Sequence, residues 1–177
     1  MSNPTTNDVL NAVAAATNAL SERKEEVNRL NVFPVPDGDT GTNMSLTMQM
    51  VVDNLAKLSI GASNAEIRKA ITTGALMGAR GNSGVITSQI LRGLCEGYEG
   101  HDVFDTVALD SCFARAVEVS FQAVRKPVKG TILTVVEDAA AAAKKARKKK
   151  LSLEEALDAV VAEAYASVQR TPDFLPV

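Results

Sequence analysis

Between Asn31 and Asn43 the chain reads Asn-Val-Phe-Pro-Val-Pro-Asp-Gly-Asp-Thr-Gly-Thr-Asn, and neither a continuous helix nor a central strand can run through it. Pro34 and Pro36 lock their own φ angles and push the residues before them into extended backbone, so the chain reaches Asp37 stiff and already aimed. Gly38 and Gly41 then permit a sharp turn. Thr40 and Thr42 are each suited to cap a new helix, whose apolar face is expected at Met44, Met48, Val51, Leu55 and Leu58. The rest of the fold has to be arranged around this break and restart.

Two carboxylates, Asp37 and Asp39, stand immediately before that restart. The first amides of a helix are donors without partners at the positive end of its dipole, which favours an anion. Hard carboxylate oxygens beside such amides suit Mg²⁺ shared with a phosphate. The same residues also make an ordinary Asx turn leading into a capped helix, and composition alone does not separate the two readings. Spacing removes two others. In a calcium hand Asp37 and Asp39 would take positions one and three, but position six is Thr42 and position twelve is Met48. A Walker A loop needs a Gly-Lys pair, which the sequence lacks, so phosphates held here are held without a P-loop.

A second glycine loop, Gly78-Ala-Arg-Gly-Asn-Ser-Gly84, leads into a helix with Ile86, Ile90 and Leu94 along its expected buried stripe. Its GxxGxxG spacing and the absence of a preceding strand exclude a dinucleotide fingerprint. It is either an anion-ready helix start or a set of small residues for close helix packing. A third loop, Arg125 to Gly130, is basic and proline-broken. Thr131 is expected to cap the helix that follows, with Ile132, Val135, Val136 and Ala139 facing inward; Lys126 or Lys129 either reaches phosphate or is solvated.

Helical spacing covers the remainder. Val9, Val13, Ala16 and Leu20 mark a helix over about 7–28, and Ser63 with Glu66 forms a capping box for one running to about Met77. Phe113, Val117, Phe121 and Val124 mark another over about 103–124. Ser152 and Glu155 cap the last, whose inward face is expected at Leu153, Leu157, Val160, Val161, Ala164 and Val168. The run Lys144-Lys-Ala-Arg-Lys-Lys-Lys150 ends a helix, where cations complement the dipole, and it carries no interleaved aromatic for base stacking. His101 is expected at the surface. Cys95 and Cys112 fall within apolar helical patterns as reduced core residues.

No strand signal appears anywhere. With 46% hydrophobic residues but only 4% aromatic and no Trp, the core must be built from Ala, Val, Leu and Ile, which lets helices approach closely. The expected fold is all-α, an antiparallel helical barrel or bundle of seven to eight helices forming one domain over 1–177. The loops at Asn31–Gly41, Gly78–Gly84 and Lys126–Gly130 are expected to share one end of it and form one pocket. A formal charge of -2 gives no basic field for nucleic acid. The start, Met-Ser-Asn-Pro-Thr-Thr-Asn-Asp, has no signal-peptide pattern and no later run reaches membrane-spanning length, so the expected compartment is the cytoplasm.

The runs Leu30-Asn-Val-Phe-Pro-Val-Pro-Asp-Gly-Asp-Thr-Gly-Thr-Asn-Met44 and Gly74-Ala-Leu-Met-Gly-Ala-Arg-Gly-Asn-Ser-Gly-Val-Ile86 resemble the nucleotide-binding domain of bacterial fatty-acid kinase. That domain is itself similar to the L subunit of dihydroxyacetone kinase. With Gly130-Thr-Ile-Leu-Thr134 and the closing Arg170-Thr-Pro-Asp-Phe-Leu-Pro-Val177, the likeness covers essentially the whole chain. It implies an eight-helix barrel that binds ATP and two Mg²⁺ ions. Asp37 and Asp39 would be the metal-holding catalytic carboxylates, and Asn31 stands nearest to a third aspartate that dihydroxyacetone kinases carry upstream. Thr40, Thr42, Asn43, Gly81, Asn82, Ser83, Gly84, Gly130 and Thr131 would surround the nucleotide.

The resemblance further implies an acceptor: a fatty-acid carboxylate presented by a separate fatty-acid-binding carrier protein, giving an acyl phosphate. A dihydroxyacetone-type kinase subunit and a non-catalytic nucleotide-binding module are the alternatives. The chain would be the N-terminal part of a longer protein, since in the family a further helix and a glycine-containing loop follow the segment matching Arg170–Val177, and a homodimer would form through other domains.

Overall fold

A computed structural model describes residues 4–175. Those residues form eight α-helices and no strand: α1 Thr6–Glu22, α2 Lys24–Arg29, α3 Thr40–Leu55, α4 Asn64–Gly78, α5 Gly81–Gly97, α6 Thr106–Gln122, α7 Ile132–Lys148 and α8 Leu153–Phe174. The all-α expectation holds. Pro176 and Val177, the end of the closing run named above, lie outside the described residues. Among the described residues no helix is long and apolar enough to cross a membrane. The chain divides into two compact units, Met1–Arg92 and Gly93–Val177.

In the first unit a capping box starts α1: the Thr5 hydroxyl accepts from the Asp8 amide, and the Asp8 carboxylate accepts from the Thr5 amide at 2.7 Å. The single helix expected over 7–28 is broken at Arg23 into α1 and the short α2. The Ser63–Glu66 box starts α4 as expected. Helices α3 and α4 run antiparallel at backbone contact. Gly74 lies so close to Met50 and Val51 that a Cβ there would sit 2.6 Å from the Met50 carbonyl oxygen, and Gly78 abuts Thr47 and Met50 in the same way. Val51, Leu55, Ile67 and Ala75 form the buried centre, with Val9, Val13, Leu58 and Ile71 packed around it.

In the second unit Asp105 caps α6, its carboxylate accepting from the amides of Val107 and Ala108 at 2.9 Å each. Gly93 and Gly97 let the end of α5 lie directly on α6 at Ala116 and Cys112. The centre is alanine-rich: Ala139, Ala143 and Ala146 of α7 meet Leu109, Ala156 and Val160. Ion pairs tie the helices together outside it, Arg147 to Asp110 at 2.6 Å and Arg170 to Asp138 at 2.9 Å, and within α8 Arg170 also holds Glu163 at 2.6 Å. The lysine-rich run ends α7 in a Schellman turn, with Lys150 in the left-handed region (φ 55°) and the Leu151 amide donating to the Ala146 carbonyl. Both cysteines are buried, and burial pushes the Cys112 thiol up to about 11. His101 is half-buried against the Tyr98 ring rather than fully exposed.

Three expected faces need correction. On α6 the deepest residues are Ala108, Leu109, Cys112, Ala116, Val119 and Ser120, whereas Phe113, Val117, Phe121 and Val124 are only half-buried. On α5 Ile86, Ile90 and Leu94 are likewise half-buried, while Gly84, Thr87 and Ser88 are buried. On α8 Val160 is 5% exposed, but Leu157 and Val161 are 39% and 53% exposed. The common reason is helix spacing. Where backbones nearly touch, small side chains occupy the line of contact and large ones are displaced to its flanks.

Two outcomes follow from this packing. Val160→Asp should bury an unpaired charge and cost about 3 kcal/mol or more in urea unfolding, while Leu157→Asp should cost under about 1 kcal/mol. The second concerns acid. Hydrogen bonds from Thr5, Ser63 and Ser152 hold the carboxyls of Asp8, Glu66 and Glu155 below their ordinary values of 3.8 and 4.5. Because the folded values are the lower ones, these boxes stabilise above the ordinary carboxylate range and lose that effect as pH falls through it. Urea midpoints measured from about pH 6 to about pH 3 should therefore decline less steeply in an Asp8→Asn, Glu66→Gln, Glu155→Gln variant than in the parent.

Candidate functional site

The start of α3 is built differently from an ordinary capped helix. Thr40 is its first residue and Asp39 its N-cap, yet the Asp39 side chain makes no capping bond. The cap comes from another helix. Asn28, near the end of α2, accepts from the Thr42 amide through Oδ1 at 3.1 Å and donates through Nδ2 to the Thr42 hydroxyl at 3.1 Å. Gly41 makes this approach possible, because it lies against the Lys24 carbonyl with no room for a Cβ. The Asp39 carboxylate is thereby released from the capping task that an Asx turn would give it. Asp37 is exposed and accepts from the Asn31 amide nitrogen at 2.6 Å. Gly38 supplies the positive φ of 67° between the two carboxylates, and the Phe33–Pro34 peptide upstream is cis.

The start of α5 lies beside the start of α3. Gly81, at φ 57°, faces the Asn43 side-chain amide, Gly84 packs on the Thr47 hydroxyl, and the Ser83 hydroxyl reaches the Thr40 carbonyl at 3.5 Å. Several amides of the two turns are already engaged. The Asn43 amide bonds the Asp39 carbonyl at 2.8 Å, the Gly84 amide bonds the Arg80 carbonyl at 3.0 Å, and Thr42 is held by Asn28. The amides at Thr40, Gly41, Gly81, Asn82 and Ser83 precede the first intrahelical bonds and have no acceptor within their own helices.

Two positive dipole ends side by side repel each other unless negative charge lies between them. A second observation points the same way. Asn43 is only 8% exposed, and its Nδ2, facing Gly81, has no hydrogen-bond partner among the described residues. An unmade bond at a buried amide costs about 1–3 kcal/mol, which an anion seated at the helix starts would remove.

The donor set also fits Mg²⁺. Asp37 and Asp39 offer hard oxygens at the mouth of the site, and among the described residues no third acidic, histidine or cysteine side chain joins a metal-holding group. Mg²⁺ is ordinarily held in this way, through one or two carboxylates with phosphate oxygens and water completing the shell.

Of the residues picked out from the sequence, the first unit brings together Asn31, Asp37, Asp39, Thr40, Thr42, Asn43, Gly81, Asn82, Ser83 and Gly84 along one loop and two adjoining helix starts. Gly130 and Thr131 belong to the second unit. Gly130 has φ 83° and donates to the Thr134 hydroxyl at 3.0 Å. Thr131 is the N-cap residue of α7 by position, but its hydroxyl donates to the Val128 carbonyl at 2.8 Å instead of capping the helix. Sequence reading missed Asn28 and Thr47. Neither has a local signature, because each acts on a partner from another helix. The loop also exposes Leu30, Val32, Phe33 and Val35 just before the carboxylates.

The cross-helix cap gives a direct outcome. Asn28→Ala should lose about 1 kcal/mol of stability, seen as a melting temperature lower by roughly 2–4 °C. Asn28→Asp, which keeps the acceptor for the Thr42 amide, should recover part of it.

The model of the DAK2 domain matches residues 34–177. Uncharacterized proteins of Staphylococcus aureus (strain bovine RF122 / ET3-1) and Staphylococcus haemolyticus (strain JCSC1435) are each 45% identical to the chain over 162 and 161 residues, 89% of its length. A protein of S. aureus strain USA300, also uncharacterized, is similar to the same extent. The chain spans under a third of these relatives, 29% and 28% of the first two.

Proposed function

The chain belongs to the DAK2-domain family, a kinase-type family, and from that premise we propose that it binds ATP with Mg²⁺ and passes the γ-phosphoryl group to a fatty-acid carboxylate held by a separate carrier protein. The observation that carries the reading is the pair of adjoining helix starts with the unpartnered side-chain amide nitrogen of Asn43 between them. In it, residues 1–177 work as one nucleotide-binding kinase module.

Asp37 and Asp39 would hold Mg²⁺, and the ion would supply positive charge against the negative charge of the phosphates. Asn31 fixes the Asp37 carboxylate through its 2.6 Å bond, and its amide oxygen is the remaining hard donor of the loop. The amides of Thr40, Gly41, Gly81, Asn82 and Ser83 seat phosphate oxygens, and Asn43 donates its free N–H to them. A carboxylate oxygen of the acceptor attacks the γ-phosphorus as the bond to the β-phosphate oxygen breaks, giving acyl phosphate and ADP. An acceptor already ionised at neutral pH needs no base to remove a proton, which suits a site of metal carboxylates, amides and hydroxyls. The exposed Val32, Phe33 and Val35 beside the carboxylates offer an apolar rim to a carrier's surface.

Calorimetry tests the donor side. Asp37→Ala with Asp39→Ala should abolish Mg²⁺-dependent ATP binding while leaving helicity intact, and equal affinity in parent and double variant would refute the metal assignment. The acceptor side is tested with labelled ATP and a fatty acid, free or loaded on its carrier. Acyl phosphate is expected only with the carrier; transfer to dihydroxyacetone instead, or ATP binding with no transfer to either acceptor, would replace the fatty-acid reading by one of the alternatives.

A further inference from the structure

Arg80 stands at the corner where α4 ends and α5 begins, one residue before the amides of Gly81, Asn82 and Ser83. Its backbone carbonyl accepts the first bond of α5, from Gly84 at 3.0 Å. Its exposed side chain folds back onto α4, where Nη1 donates to the carbonyls of Met77 at 3.1 Å and Ala79 at 2.9 Å. Both bonds come from one nitrogen. Among the described residues no carboxylate pairs with this guanidinium, and Nε and Nη2 bond no acceptor, so a group with five donors uses few of them. Arg115, Arg147 and Arg170 are the contrast, each holding carboxylates at 2.6–2.9 Å.

The location makes that incomplete bonding informative. Two helix starts already place positive ends side by side, and an unpaired guanidinium next to them adds to the repulsion. Once a divalent cation offsets Asp37 and Asp39, a polyanion is the ligand whose charge balances what remains. The Met77 and Ala79 carbonyls are neutral acceptors at the surface. A phosphate offers a charged, forked one, to which a guanidinium bonds through two nitrogens at once.

We propose that Arg80 is a substrate-contacting residue of this site: when a nucleoside triphosphate occupies the paired helix starts, its guanidinium leaves the α4 carbonyls and clamps the terminal phosphate. The inference rests on the proposed nucleotide site and adds to it the group that reads phosphate number. Gripping the transferred phosphoryl group would also oppose charge developing there during transfer.

The experiment uses the 177-residue chain and three probes, ATP and ADP with Mg²⁺, and AMP. The parent should bind them in the order ATP, ADP, AMP. Arg80→Gln should weaken ATP by about tenfold or more, as for a lost charge-assisted pair, and leave AMP within about twofold. Arg80→Lys, which keeps the charge without the fork, should fall between. A merely structural role in closing α4 would lower the melting temperature and weaken all three nucleotides alike. If Arg80→Gln fails to fold, the ATP-to-AMP ratio of Arg80→Lys decides. An unchanged ratio in the variants overturns the proposal while the nucleotide site stands; a parent that binds none of the three probes overturns both.

Discussion

Backbone-to-backbone contact between helices is the constraint on which the first unit depends. Gly41 against Lys24, Gly74 against Met50, Gly78 against Thr47 and Gly84 against Asn43 and Thr47 are all approaches that a Cβ would block or crowd. Because α3 lies that close to α2, Asn28 can reach its first turn and take over the capping role. Because it lies that close to the start of α5, two sets of unpaired amides adjoin. Gly41, read in the sequence as a turn former, is a packing residue first, whereas Gly38 turns the chain as expected, and the anion-ready geometry is a product of the close packing.

The same relation explains how much was legible in the sequence. Helix identity followed from 3.6-residue spacing and from capping boxes, and the Ser63–Glu66 and Ser152–Glu155 boxes stand where the spacing placed them. The break at Arg23 carried no proline or glycine to announce it. Inward faces were harder, because hydrophobic spacing identifies an apolar arc but not the line within it that meets a neighbour. On α8 that line runs through Ala156 and Val160, leaving Leu157 and Val161 beside it. Among alanine- and glycine-lined contacts the largest side chains are poor guides to the core.

The candidate site was legible where its features are local. Asp37 and Asp39 announce themselves between prolines and glycines, and Gly81 to Gly84 mark the second helix start. What sequence could not supply is the allocation of donors. The amide and hydroxyl of Thr42 are spent on Asn28, and the amides of Asn43 and Gly84 are spent on their own helices. The Asn43 side chain is the reverse case, buried and left with a donor to offer. Hydrogen-bond satisfaction is a three-dimensional property, and here it separates residues that sequence spacing treats alike.

The two cysteines give the second unit an internal clock. Cys95 and Cys112 lie on the adjoining α5 and α6, both screened from solvent, and the thiol of Cys112 is kept protonated far above neutral pH. A thiolate is the reactive species, so an alkylating reagent meets an inert sulfur until the helices part. The rate at which such a reagent marks Cys112 therefore counts separations of α6 from its neighbours, in a protein that needs no added label to report its own breathing.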